Sequence, residues 1–175
     1  MVVEQLYSLG HRKMAFIRGP AAFIDSGQRW TATASSAGRL DLPLDTSLIV
    51  DLNLQNAGGY ELARQLLQSG KTFTALVAYD DLTAFGAIRA LSEAGIQVPR
   101  DCSVTGYDDV ATSTFYNPPL TTVHQDMEVQ GAAGVEILLD ELKSIGNGSG
   151  SNGPTPLHKR IVPRLMVRES TALPR

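Results

Sequence analysis

Cysteine is nearly absent from this sequence, and its single occurrence, Cys102, excludes an internal disulfide bond. Cys102 adjoins an apolar strand pattern, so we expect it to be a small core residue. Long apolar runs are missing too, because none approaches the ~18 residues of a membrane-spanning helix. The N-terminus also lacks the basic and apolar regions of a signal peptide. These features are consistent with the reducing cytosol, and we expect a cytoplasmic protein without a membrane segment.

Positive charge is also scarce. Lysine and arginine number 15 against 18 acidic residues, and no basic stripe of the kind found in nucleic-acid-binding domains is present. The three histidines are far apart in sequence, and there is no Cys/His cluster. A G-x-G-x-x-G pattern at residues 148–153 follows a helical pattern, whereas the dinucleotide-binding motif follows a strand and opens a helix. We therefore expect no metal ion and no cofactor.

Short apolar runs alternate with helical patterns over the first two-thirds of the chain. This order predicts right-handed βαβ crossovers, a parallel sheet and helices on both of its faces. The expected fold is α/β, a doubly wound parallel sheet. Residues 1–9 resemble the end of a helix, so we expect the chain to begin inside a longer one. The predicted strands are residues 14–18, 47–50, 75–79 and 103–107.

The last third has a different pattern. Residues 116–126 are restricted by prolines to an extended conformation, and a helix is predicted from Met127 to Ile145. Glycine and serine dominate residues 146–156, which we expect to form a loop, and residues 160–170 form a last strand. The predicted helix carries an apolar stripe at Val135, Leu138, Leu139, Leu142 and Ile145.

Two acidic pairs are the most informative feature. Asp80 and Asp81 follow one predicted strand, and Asp108 and Asp109 follow the next. Parallel strands place both pairs at the same sheet edge, where ligands of open α/β sheets bind. The planar donor Arg29 is expected at that edge too.

Three interpretations of these acids are open. One acid of each pair could cap a helix, and Asp81 suits this role because a helix is expected to start near Leu82. Two carboxylates could instead act in catalysis or hold Mg²⁺. In the third interpretation, Asp80 and Asp108 accept hydrogen bonds from the vicinal hydroxyls of a sugar.

Several segments together resemble the effector-binding core of the LacI/GalR transcription regulators, which have the type I periplasmic-binding-protein fold. They follow one another in the order and spacing of that family. The segments are LGHRKMAFIRGP, AYDDLTAFGAIRALSEAGIQVPRDCSVTGYDD, NPPLTTVHQDMEVQGAAGVEILL and PRLMVREST.

This resemblance implies a homodimeric repressor that is not an enzyme. Its two lobes close over a small effector, and operator DNA is bound by an N-terminal domain that this chain lacks. Residues 9–115 would form the distal lobe, residues 116–159 the crossover, helix and loop of the proximal lobe, and residues 160–175 the returning strand and tail. The alternative is a sugar-binding protein of an ABC transporter with the same fold.

The resemblance also implies a set of effector contacts. Arg29 and Asp108 match the residues that hold sugar hydroxyls, while Asp80 stands where the family often has asparagine. Leu54 lies near a position that is aromatic in many members. Asp109 is expected to be structural, and the helix from 127 to 145 to repack or pair with another chain. The full predicted set of effector contacts is Phe23, Asp25, Arg29, Asp80, Asp108 and Gln125.

Overall fold

A computed structural model describes residues 1–53, 58–146 and 158–175, with side chains omitted at 144–146. The chain divides into two compact units. The first comprises Met1–His124 together with Leu165–Arg175, and the second comprises Gln125–Arg164. Among the described residues, no helix has the length and apolar composition needed to cross a membrane. These units do not test the predicted assignment of residues to lobes, which stays a prediction.

The elements alternate as the sequence predicts. Four strands form a parallel sheet in the order β2-β1-β3-β4, and β5 and β6 form a two-stranded sheet. The predicted α/β fold is confirmed. The elements are α1 Val2–Ser8, β1 Met14–Arg18, α2 Ile24–Arg39, β2 Ile49–Asp51, α3 Gly59–Gln68, β3 Ala75–Val77, α4 Asp81–Glu93, β4 Ser103–Thr105, α5 Thr112–Phe115, β5 Thr122–His124, α6 Met127–Gly146 and β6 Arg164–Met166.

Both faces of the parallel sheet are covered by helices. Ile17 packs in a cluster with residues of α3 and α4, whereas its neighbour Phe16 packs with residues of α1 and α2. Successive strand residues point to opposite faces, so an uninterrupted apolar strand implies burial on both sides. Leu76 of β3 and Val104 of β4 are fully buried in the same way. The core thus fixes the sheet whose edge carries the acidic pairs.

Several boundaries differ from the sequence prediction. The sequence pattern predicts that the first helix after β1 begins near Gln28, but α2 begins at Ile24. Asp25 therefore lies in its first turn, where the positive helix end stabilises a carboxylate. The sequence pattern does not predict the short helix α5. It offers Asn56 as a cap of α3; that residue lies outside the described residues, and the structure places the N-cap at Gly58. Most of the loop predicted at 146–156 also lies outside them.

Helix α6 in the second unit matches its predicted bounds closely. Its apolar stripe is poorly covered within that unit, since Val135, Leu138, Leu139 and Leu142 are each 49–58% exposed. The side chain of Ile145 lies outside the described residues. The helix therefore presents a half-exposed apolar surface in this unit, and its repacking or pairing with another chain stays a prediction.

His11 is a buried junction between the start of the sheet and the C-terminal segment. Its Nε2 donates to the carbonyl of Ala172 at 2.9 Å, which leaves Nδ1 of a neutral ring to accept from Thr74 Oγ1 at 2.8 Å. Ser103 Oγ lies 3.0 Å from Nε2. Burial lowers the pKa of His11, and the charge of Arg12 adds to this effect. The fold consequently favours the neutral ring.

This burial predicts a pH dependence. Between the pKa of His11 in the folded state and its ordinary value near 6.5, the unfolded chain binds more protons, so stability falls as pH falls through that window. Urea unfolding at pH 7 and at pH 5.5 should show a lower free energy of unfolding at pH 5.5. We expect a smaller pH difference in His11→Gln, and an unchanged difference in that variant would contradict the assignment.

Candidate functional site

Arg29 is the centre of a cluster at the carboxyl edge of the parallel sheet. It lies in the second turn of α2, and its Nη2 donates to the backbone carbonyl of Tyr79, two residues beyond β3. The guanidinium carbon lies 4.3 Å from the centroid of the Tyr79 ring and 3.6 Å from that of Tyr107. Two aromatic rings thus pack against the cation and hold its orientation.

Asp25 is the acidic partner of this cluster. Its Oδ2 lies 3.9 Å from Arg29 Nη1 and accepts a hydrogen bond from the Tyr79 hydroxyl at 3.2 Å. Because Asp25 and Arg29 are one helical turn apart, the early start of α2 allows this pairing.

Gly19 leaves the space that the Tyr79 ring occupies. A methyl group at this position would overlap the Tyr79 ring and would lie 2.5 Å from Ser26 Oγ. The chain leaving β1 therefore approaches the chain leaving β3 closely. Ser26 is 5% exposed, and its hydroxyl has no hydrogen-bond partner among the described residues.

Tyr107 packs against Arg29 and directly precedes Asp108 in the chain. Burial is the main reason that the pKa of its hydroxyl is raised; Asp108 and Asp25 raise that pKa further, whereas Arg29 lowers it. Arg29 packs on the Tyr107 ring and lies 3.9 Å from Asp25, and Asp108 directly follows Tyr107 in the chain. The structure brings together three of the predicted site residues, Arg29, Asp25 and Asp108, around Tyr107.

The turn after β4 has an unusual backbone. Asp108 and Asp109 both have positive φ, 105° and 57°, a region that aspartate tolerates better than most residues. The amide of Asp108 donates to Val123 at 2.9 Å. Asp109 accepts from Arg168 Nη2 at 2.6 Å and pairs with His124 Nδ1 at 2.9 Å. Asp109 is structural, as predicted, and anchors the turn that carries Asp108.

The first acidic pair contradicts one prediction. Asp80, not Asp81, is the N-cap of α4, and its Oδ1 accepts from the amide of Thr83 at 2.7 Å. The helix starts one residue earlier than expected, which makes Asp81 its first residue. The predicted capping role of Asp81 is therefore wrong, and the cap uses one oxygen of Asp80.

Asp81 is instead a buried acceptor for three donors. Its carboxylate accepts from the Val110 amide at 2.9 Å, from Ser113 Oγ at 2.6 Å and from the Thr122 hydroxyl. Gly106 makes room for it, because a methyl group there would overlap Asp81 Oδ1. Asp81 thus links α4 to α5 and β5, and both of its carboxylate oxygens accept hydrogen bonds from the protein.

For the other predicted effector contacts, Phe23 and Gln125, the structure gives less detail. Phe23 is 42% exposed and is the N-cap of α2, the helix that carries Asp25 and Arg29, and its role stays a prediction. Gln125 begins the second compact unit, and its role stays a prediction. Leu54 lies outside the described residues. Tyr79 and Tyr107 were missed, although each directly precedes an acidic pair at the end of a strand.

The cluster is suited to binding. A guanidinium with covered faces can donate hydrogen bonds only in its own plane, which matches vicinal hydroxyls or a planar acceptor group. Half-buried Asp108 adds carboxylate acceptors nearby. Within the described ranges, no group of three or more His, Cys, Asp or Glu side chains is arranged to hold a metal ion.

Comparison with known proteins identifies the family of the chain. Residues 3–171 match the family described as periplasmic binding protein-like domain. The chain belongs to this family. Among its curated relatives are the HTH-type transcriptional repressors PurR of Glaesserella parasuis, 34% identical over 97% of this chain, and of Haemophilus influenzae, 32% identical over 97%. The chain spans about half the length of these relatives, 50% and 49%.

Solved structures of transcription regulators share this periplasmic-binding-protein-like fold. A dimeric Lac repressor with an 11-residue C-terminal deletion superposes with a TM-score of 0.85 at 30% identity, over 99% of this chain and 60% of that protein. The CelR regulator in complex with cellobiose gives 0.84 at 29% identity, over 95% and 49%. The resemblance to LacI-type regulators drawn from the sequence is confirmed.

Proposed function

We propose that this chain is part of the effector-binding and dimerisation region of a cytoplasmic LacI-type transcriptional repressor. The observation that carries the proposal is that a transcriptional repressor matches 97% of the chain at 34% identity. Effector binding would change the arrangement of the lobes and thereby the affinity for operator DNA. The DNA would be contacted by a region outside this chain.

A sugar is the effector class that we propose. Arg29 would donate in its plane to two hydroxyls, and Asp108 would accept from hydroxyls on its side of the cluster. Asp80 would contribute the oxygen that does not cap α4, and Gln125, the crossover residue implied by the resemblance, is proposed as a further contact. Phe23 and Asp25 would border the site. The cellobiose complex of the similar CelR regulator supports this choice.

A homodimer is proposed on the same basis. Near the turn that carries Asp108, Phe115 is 85% exposed, and Leu82 in the first turn of α4 is 72% exposed. Exposed apolar side chains of this size are suited to an interface. A Lac repressor with a similar fold is described as dimeric.

Two other functions are less well supported. A sugar-binding protein of an ABC transporter would share the fold, but the relatives named above are repressors. An upstream helix-turn-helix would exclude that alternative, and an upstream signal peptide would favour it. A magnesium-dependent enzyme would need both acidic pairs, yet Asp81 and Asp109 are already occupied by protein donors.

One experiment on the full-length protein tests the proposal. Light scattering should give the mass of a dimer, and a thermal-shift screen of sugars and purines should identify a stabilising compound. A ligand at ~100 times its Kd adds about 2.7 kcal/mol to the free energy of unfolding, enough to raise the melting temperature measurably. A strict monomer that no sugar or purine stabilises would contradict the proposal.

A further inference from the structure

Two ion pairs near the proposed effector site each join one cation with one carboxylate, so that their charges cancel. Arg18 Nε and Nη2 donate to the two carboxylate oxygens of Asp51 at 2.6 and 2.7 Å. Arg168 Nη2 forms an ion pair with Asp109 Oδ1 at 2.6 Å. Neither pair leaves net charge at the edge. The charge that an effector meets therefore depends on Arg29 and on the carboxylates next to it, Asp25 and Asp80.

The positive charge of Arg29 is already shared within the protein. Its Nη2 is bound to a carbonyl, its Nη1 faces Asp25 at 3.9 Å, and the rings of Tyr79 and Tyr107 pack against it. The carboxylates of Asp25 and Asp80 stand at the same edge. Together with Arg29 they leave a net negative charge there, even before Asp108 is counted.

The helix ends do not offset this charge. A helix N-terminus attracts anions through its free amides and its dipole. At α4, however, Asp80 already occupies that position through its bond to the Thr83 amide. At α2, Asp25 lies in the first turn. Both helices that begin at the edge of the cluster therefore already carry a carboxylate where a phosphate would bind.

We propose that this site selects uncharged or positively charged polyhydroxylated ligands and rejects those that carry a phosphate or a carboxylate. The inference rests on the proposed effector-binding function and narrows it. Carboxylates can accept hydrogen bonds from hydroxyl or ammonium groups but cannot donate to an anion. The buried Ser26 hydroxyl, which has no partner among the described residues, adds a neutral donor and acceptor beside Tyr79.

The test uses matched pairs of compounds on the full-length protein. D-glucose, D-galactose and D-ribose are compared by thermal shift and calorimetry with glucose 6-phosphate, galacturonate and ribose 5-phosphate, and D-glucosamine and cellobiose are included. A neutral or amino sugar should bind at least ~10-fold more tightly than its anionic partner. High salt should narrow that ratio, because it screens the repulsion.

Two variants make the test specific. Asp25→Asn removes one carboxylate of the cluster and should reduce the discrimination against the anionic partner several-fold. Asp101→Asn, which precedes β4 at the opposite end of the strands and pairs with exposed Arg100, is the matched control and should leave the ratio unchanged. Tighter binding of an anionic compound than of its parent, or a ratio unaffected by Asp25→Asn, overturns the charge inference and leaves the proposed function standing. If none of these compounds binds but a purine stabilises the protein, the charge inference fails and the effector-binding function stands; if no purine stabilises it either, the proposed function fails as well.

Discussion

Replacement of Asp81 by alanine is expected to lower the free energy of unfolding by about 3–5 kcal/mol, because three donors lose their acceptor and each unsatisfied buried donor costs about 1–3 kcal/mol. Asp81 is 1% exposed, so water cannot readily replace its carboxylate. Two of the donors, the Val110 amide and the Ser113 hydroxyl, belong to the segment that follows the second acidic pair. We expect α5 and the adjacent turn to loosen first.

The neighbouring residue provides the control. Asp80→Ala removes only the N-cap that accepts from the amide of Thr83, and loss of an N-cap costs about 1 kcal/mol. Urea unfolding of both variants and the wild type measures the difference. Equal losses, or a larger loss for Asp80→Ala, would show that the two carboxylates have been assigned the wrong roles.

The interchange of these two roles shows where sequence reasoning stops. The pattern of apolar residues located α4, because its buried face depends on side chains spaced along the whole helix. Its first residue is a local matter of backbone angles, and prediction is least reliable by one or two residues at helix ends. A shift of one residue, from Leu82 to Asp81, moves the capping role to the preceding acid.

The sheet was easier to predict than the site. Strands such as β1 are buried on both faces, so their apolar runs are visible in the sequence. Arg29 and Asp108 could be placed at the same edge because parallel strands share a direction. The packing of Tyr79 on Arg29 could not be foreseen, since it requires Gly19, at the end of β1, to approach a residue 60 positions later. Such contacts depend on tertiary distance rather than on local pattern.

In the full-length protein, Asp108→Ala is expected to abolish measurable effector binding. A carboxylate that accepts two hydrogen bonds from a ligand contributes about 3–5 kcal/mol, since each hydrogen bond to a charged group is worth about 1.5–3 kcal/mol. That loss corresponds to a Kd more than ~100-fold higher. Calorimetry with the sugar identified in the thermal-shift screen measures it directly.

Alanine alone would not identify the cause, because Asp108 has a φ of 105° and alanine is strained there. Asparagine tolerates this backbone, so Asp108→Asn keeps the turn while one acceptor oxygen is replaced by a donor. If the carboxylate binds hydroxyls, Asp108→Asn should also weaken binding substantially, with little change in the free energy of unfolding. Asp101→Ala, which breaks an exposed pair with Arg100 before β4, should leave the affinity unchanged. Wild-type affinity in Asp108→Asn would mean that the turn, and not the charge of Asp108, serves the effector.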